Sequence, residues 1–251
     1  MIPGGLAMPG GGLGVPLDGL SPTGAFSMSR KLLSAYGGSF YTVTGAGVST
    51  FNDQSGSARD LTQGTDANRP PATTAGSNGR ACADFQNDDL LISAAAMSTF
   101  ITTTTGYMIA SVIVDAIDTN SSTSFSNDCI LGDDMDWVGV YLKSTGPTVI
   151  SYNWDTNDDN IGNTISTGAV LVIEWRHESG TLYNRVNGGT WASVASGTTG
   201  DALTGSKLNV GKAGGAYYFD GKLFEAALFS TIPTAARQDA LVSNFKTWAG
   251  T

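Results

Sequence analysis

Hydrophobic positions along this chain fall into short runs that alternate with polar residues or stay apolar throughout. Gly, Asn, Asp and Ser punctuate them, and the three-to-four spacing of an amphipathic helix is nearly absent. Gly106 to Asp115, GYMIASVIVD, is apolar and β-branched at its centre, which predicts a buried strand. Ala169 to Glu178 alternates, with Ile173, Trp175 and His177 on one face and Glu174, Arg176 and Glu178 on the other. Ser179-Gly180 turns it back into Thr181 to Val186, which ends at Asn187-Gly188, a pair suited to a two-residue turn. Further strands are expected at Phe26 to Leu33, Phe40 to Val48, Ala81 to Phe85, Cys129 to Leu131, Trp137 to Leu142, Val149 to Trp154, Lys207 to Gly211 and Tyr217 to Phe229. One helix is expected. It starts near Pro233, places Leu241, Phe245 and Trp248 at i, i+4 and i+7, and stops at Gly250.

Turn chemistry is densest between Phe51 and Leu91. Asp53-Gln54-Ser55-Gly56 is a turn, Arg69-Pro70-Pro71 forces extended backbone, and Asn78-Gly79 signals a hairpin. Residues 1 to 25 differ from the rest, with four of the eight prolines and one charge, Asp18. A Gly/Pro backbone of this kind forms neither helix nor paired strand, yet it carries Ile2, Leu6, Met8, Leu13, Val15, Leu17 and Leu20, whereas solvated linkers are polar. The expectation is an extended docking arm over residues 1–25 that lies on a neighbouring subunit, followed by one β-sandwich over residues 26–251.

Composition supports an all-β body and narrows its partners. Charged residues make up 14% and hydrophobic residues 41% of 251, with 33 glycines, which suits many short strands and excludes a helical bundle. A net charge of −9 argues against nucleic acid and anionic membrane as partners. The acidity concentrates between Asp128 and Asn160, where seven Asp face one Lys. Cys82 and Cys129 permit one disulfide and equally permit two free thiols. No basic and apolar leader follows Met1 and no apolar run approaches the roughly 20 residues of a membrane span, so synthesis in a cytoplasm is expected.

The order of short motifs carries a resemblance. Asp53-Gln54-Ser55-Gly56, Leu61-Thr62-Gln63, Arg69-Pro70, Asn78-Gly79 and Asp84-Phe85-Gln86-Asn87 resemble the start of a concanavalin A-like lectin/glucanase domain of the laminin-G type. Ser29 to Val43 is similar to the opening strands of the arabinofuranosidase B catalytic domain and to related domains of tailed-phage virion proteins. Thr181 to Gly189 resembles the laminin-G hairpin, and Tyr217 to Phe229 the closing strand. The resemblance implies a concanavalin A-like jelly-roll sandwich with a short C-terminal helix. It also implies a leading function as a non-enzymatic virion structural protein, a capsid decoration or tail and fibre component made in the host cytoplasm. Its partners would be other virion proteins, through the arm, and further copies of itself. A carbohydrate-binding module for host-surface glycans is the alternative, and a diverged glycoside hydrolase the third reading.

Each candidate chemistry rests on few residues. The resemblance puts the family's glutamate nucleophile near Asp136-Trp137-Val138, where no glutamate stands, so hydrolysis would require an Asp pair. Trp137, Tyr141, Tyr152 and Trp154 offer ring faces for stacking on a sugar, or else serve as core and edge aromatics. Asp155, Asn157 and Asp159 have the oxygen spacing that opens a calcium loop. The sixth position lacks Gly and Ser166 replaces the twelfth-position carboxylate, leaving a looser calcium site or a solvated acidic loop, and no other cofactor. His177, the only histidine, reads as a strand residue.

Overall fold

The computed structural model describes residues 16–33, 35–86, 88–117, 127–134, 138–143, 148–153, 162–195, 203, 205–213 and 217–251. In chain order the first strands are β1 (Gly24–Ser27), β2 (Tyr41–Thr44), β3 (Gly47–Phe51), β4 (Leu61–Thr62), β5 (Ala72–Ala75), β6 (Arg80–Phe85) and β7 (Leu91–Ala96). The middle of the chain forms β8 (Thr105–Ala116), β9 (Asn127–Asp133), β10 (Val138–Lys143), β11 (Thr148–Asn153) and β12 (Asn163–Thr164). Then come β13 (Val170–Glu178), β14 (Thr181–Val186), β15 (Ala192–Ala195), β16 (Lys207–Val210), β17 (Lys212–Ala213), β18 (Tyr217–Tyr218), β19 (Asp220–Phe229) and the helix α1 (Ala235–Ala249).

Two large antiparallel sheets result. One runs β15-β14-β13-β8-β19-β6-β5 with β1 also on β19; the other runs β12-β11-β10-β9-β16-β7-β4-β3-β2. Their facing sides share one apolar core that includes Phe26, Phe51, Phe85, Met108, Val112, Val140, Trp175 and Leu223. This is an all-β sandwich, as the alternation and the turn spacing predict. A second apolar layer lies on the far side of the eight-stranded sheet, where Tyr107, Ile109, Val172 and Phe229 meet Leu241, Val242 and Phe245 of α1. Gly250 ends α1 in the left-handed region at φ 96°, its N–H returning to the Lys246 carbonyl. Asn187 and Gly188 both have positive φ, as a mirror-image two-residue turn demands.

The Asp53 turn is a clamp. Its carboxylate accepts N–H bonds from Ala25, Ser55 and Arg59 at 3.0, 2.8 and 3.2 Å, and the Ser55 hydroxyl at 2.7 Å. Gln54 accepts the Leu32 N–H through its side-chain oxygen and donates to the Arg30 carbonyl. Two expectations change as a result. The strand expected over Phe26 to Leu33 is only Gly24–Ser27, because the Ser27 hydroxyl accepts the N–H of Ser29 and Arg30 and turns the chain off the sheet. The arm expected over residues 1–25 does not extend that far either: Leu17 is fully buried in the second apolar layer, Leu20 packs against it, and Gly24 and Ala25 pair with β19.

Candidate functional site

The face of the nine-stranded sheet that points away from the core is built from the alternate positions of its strands. Val138, Val140 and Leu142 of β10, with Leu208 and Val210 of β16, point into the core, so Gly139, Tyr141 and Asn209 belong to the outer face. The pairing sets one row across that face: Thr50 opposite Thr62, Thr62 opposite Ile92, Ile92 opposite Asn209, Asn209 opposite Gly132, Gly132 opposite Gly139, and Gly139 opposite Tyr152. At the two glycines the strands approach closely. A Cβ on Gly132 would meet the Val138 carbonyl at 2.9 Å, and one on Gly139 would meet the Gly132 Cα at 2.8 Å and the Leu131 carbonyl at 2.9 Å. Neither position tolerates a side chain; both glycines are buried, and the Tyr141 ring lies against Gly139, 2.8 Å from where its Cβ would stand.

Polar and aromatic groups border that contact. Asn209 is 4% exposed and its side-chain oxygen has no hydrogen-bond partner. Tyr141 lies two residues beyond Gly139, opposite Ile150 on one side and, past a bulge, Cys129 on the other. The fold therefore sets two of the four expected sugar-stacking positions, Tyr141 and Tyr152, on adjacent strands beside the glycines, with Tyr141 itself buried. Trp137, Trp154 and the expected calcium ligands Asp155, Asn157 and Asp159 lie outside the described residues, as do Ile2, Leu6, Met8, Leu13 and Val15. Among the described residues no group of three His, Cys, Asp or Glu is placed to hold a metal ion. Cys82 and Cys129 are free and buried, and burial pushes the Cys82 thiol up to about 12. His177 is wholly buried on the core side of β13, its ring 6.4 Å from that of Trp175.

The described carboxyl groups are mostly committed to structure. Beneath α1, Glu174 accepts the Tyr107 hydroxyl at 2.6 Å and two bonds from Arg185, which also pairs with Asp239 at 3.0 Å. Burial raises the Glu174 carboxyl, against the opposing effect of Arg185, and burial with the neighbouring Glu174 raises Tyr107 well above its ordinary value. Glu225, also buried, accepts from Arg30 and Ser27, while Arg30 donates to Asn244 on the helix and stacks on Trp248. These two pairs fix α1 to the sheet. Their signal in the sequence is a glutamate at a position that the strand pattern alone assigns to an outer face.

Asp84 and Asp115 both pair with Lys222, the former at 3.4 Å, so the two carboxylates stand close together. The ammonium fills the space between them, where a glycosidic oxygen would have to sit, so this pair lacks the arrangement of a hydrolytic couple. Asp220 nearby is raised by burial and by Asp115. Asp89 is 4% exposed, and burial pushes its carboxyl up to about 6 while it accepts the Gln86 N–H at 3.0 Å.

No family model matches the sequence, and no curated protein is similar to it in sequence. Solved structures are similar in fold. A mutant of a GH54 α-L-arabinofuranosidase soaked with 4-nitrophenyl α-L-arabinofuranoside is 16% identical over 89% of this chain and 62% of its own, with a TM-score of 0.66. An arabinofuranosidase complexed with arabinofuranosyl-α-1,2-xylobiose is 15% identical over the same shares, with a TM-score of 0.64. Trypanosoma rangeli sialidase with the inhibitor DANA is 11% identical over 91% of this chain and 33% of its own, with a TM-score of 0.60. The chain thus spans about three fifths of the arabinofuranosidases and a third of the sialidase. At such identity the likeness establishes the sandwich fold. It overturns the expectation of a non-enzymatic virion structural protein, because the structures the chain is similar to are glycosidases, and nothing in these likenesses supports a virion setting.

Proposed function

We propose that this chain is a diverged glycoside hydrolase that holds its sugar on the outer face of the nine-stranded sheet, over the contact between Gly132 and Gly139. The observation that carries the reading is the row in which Asn209, two glycines forbidden a side chain and Tyr152 follow one another across adjacent strands, with Tyr141 beside them. A tyrosine ring against closely apposed backbone, with an amide beside it, suits a sugar ring, which packs on aromatic faces and needs a few fixed hydrogen bonds. The likeness in fold to proteins solved with arabinofuranosides and sialic acid analogues supports the same direction.

Glycoside hydrolysis uses two carboxyl groups, one to protonate the leaving oxygen and one to attack or to activate water. The carboxyl groups closest in sequence to the glycine contact are Asp133, Asp134 and Asp136. Asp133 is fully buried and accepts the Val138 N–H at 3.0 Å, whereas Asp134 accepts the Lys207 N–H at 2.6 Å from a half-buried turn. Asp134 and Asp136 are accordingly the residues to test. Purified protein should release nitrophenol from at least one member of an aryl glycoside panel that includes the α-L-arabinofuranoside. Asp134→Asn or Asp136→Asn should lower that rate by at least a hundredfold, and Tyr141→Ala should raise KM. Absence of turnover across the panel, or turnover unchanged in both Asp variants, refutes the hydrolase reading.

A further inference from the structure

We infer that β2 is the surface through which two copies of this chain join, edge to edge, into a two-fold dimer with one continuous sheet. The inference is independent of the hydrolase reading. β2 ends the nine-stranded sheet, and among the described residues no strand lies on its other side. The Asn52 N–H donates to the Phe40 carbonyl, so the alternation of an antiparallel pair turns the backbone groups of Thr42 toward β3 and those of Tyr41 and Val43 away from it. The bulge at Ser49 keeps this order: the Ser49 hydroxyl donates to the Thr42 carbonyl, and the Val48 N–H, opposite Val43, goes to the Pro70 carbonyl on the far side. The N–H and C=O groups of Tyr41 and Val43 therefore face outward in a row. Thr42, Val43 and Thr44 are exposed, and Val43, at 50%, is the one large hydrophobic side chain left open among the described residues.

Sheet edges are ordinarily guarded by charge, by proline or by a covering element, because open backbone groups otherwise template pairing. β5, which ends the other sheet, follows Pro70-Pro71. β2 has no such guard: residues 32–52, which supply β2 and β3, carry neither charge nor proline. The partner is a second copy for two reasons. A net charge of −9 opposes self-association, and opposes it least where neither surface is charged. β2 also matches itself. An antiparallel pair centred on Thr42 sets Tyr41 against Val43 of the second copy and Val43 against the second copy's Tyr41, so every outward N–H meets an outward C=O. Tyr41 packs on the core and Val43 shares its face, so each of these contacts joins an aromatic to a β-branched side chain, a favoured cross-strand combination. Asp66, which accepts the Ala46 N–H beside the Gly45 turn, comes to opposite ends of the new pair in the two copies and does not oppose itself.

The test is the mass of the full chain by sedimentation equilibrium over roughly a hundredfold range of concentration, with Val43→Lys, Val43→Pro and, as a charge control, Thr74→Lys on β5. The wild-type mass should rise from 25.9 kDa toward twice that value. Val43→Lys charges the edge, and Val43→Pro removes an outward N–H while sparing the bonds to β3, so each should weaken association about tenfold or more with the circular dichroism of the wild type retained. Thr74→Lys adds the same charge elsewhere and should leave the mass curve unchanged. Thr42→Cys reads the register. At the two-fold axis the two Cα atoms stand about 4.5 Å apart, within disulfide reach, so mild oxidation should link the copies while Cys82 and Cys129 stay buried. A wild-type chain that keeps the monomer mass throughout overturns the inference, as does a dimer that both Val43 variants leave intact or that Thr42→Cys fails to crosslink. Should the Val43 variants lose their fold, the crosslink decides alone.

Discussion

Asp89→Asn isolates the energetic cost of one buried carboxyl. Its folded pKa is raised to about 6 from 3.8, burial being the main cause and Asp88 and Asp84 adding repulsion. Below about pH 4 the carboxyl is protonated in both folded and unfolded chains and costs nothing. Between about pH 4 and 6 the unfolded chain ionises first, so stability falls as pH rises, and above about pH 6 the loss is complete. A gap of about two pH units amounts to about 3 kcal/mol, at about 1.4 kcal/mol per unit. Asparagine has nearly the same shape and keeps an oxygen for the Gln86 N–H, which the carboxylate accepts at 3.0 Å, so the turn before β7 is retained. Urea unfolding of both proteins at half-unit steps from pH 4 to 8 gives the difference curve directly. It should be near zero at pH 4 and climb to a plateau of about 3 kcal/mol in favour of Asn by pH 7, with matched m-values. A flat difference curve, or one that falls with pH, refutes the argument that this carboxyl is buried without adequate compensation.

Three further substitutions test how the sandwich is held. Asp53→Ala strips the acceptor from the N–H groups of Ala25, Ser55 and Arg59, and thermal unfolding should show a loss of about 2–4 kcal/mol. Glu174→Ala leaves Arg185 and the Tyr107 hydroxyl without their shared acceptor and should cost about 3–5 kcal/mol in urea unfolding, while Glu174→Leu combined with Arg185→Met should recover most of it. Gly76→Ala forces a Cβ into φ 71° and to within 2.5 Å of the Ala249 carbonyl, so it should cost about 1–3 kcal/mol and speed amide exchange over the last turn of α1.

Local pattern made much of the fold readable, and tertiary hydrogen bonding hid the rest. The β8 and β13 strands follow from apolar continuity and from alternation, and both are observed close to the expected bounds because an apolar face has a single favourable side. The helix was likewise readable from Leu241 and Phe245, both buried against the sheet. The path of residues 16–33 was not. Leu17 joins the core only because Asp53 and Gln54, more than 20 residues later, hold Ala25, Arg30 and Leu32 in place, and no local pattern announces a side-chain clamp of that range. Glu174 fell on the polar face of its strand, and no local pattern pairs it with Arg185, since a helix from the chain's far end, bringing Asp239, is what buries them. Tyr141 and Tyr152 were legible as residue types. Their neighbours were not, because Asn209 meets Gly132 through pairing across 77 positions of sequence.

The terminal helix also decides which surface is left for a ligand. On the eight-stranded sheet, the far side of β13, β8 and β19 is covered by α1, sealed by Phe245 and Leu241 and tied by Arg30 and Arg185. Opening that side would break two buried ion pairs, each costing about 3–5 kcal/mol to disrupt, which is a large share of the stability of a typical domain. Among the described residues, a cavity between the sheets beside Met108, Val140 and Ile173 measures about 10 Å³, room for a single water. The close contact of Gly132 with Gly139 and the buried Asn209 amide lie on the outer side of the other sheet, away from α1.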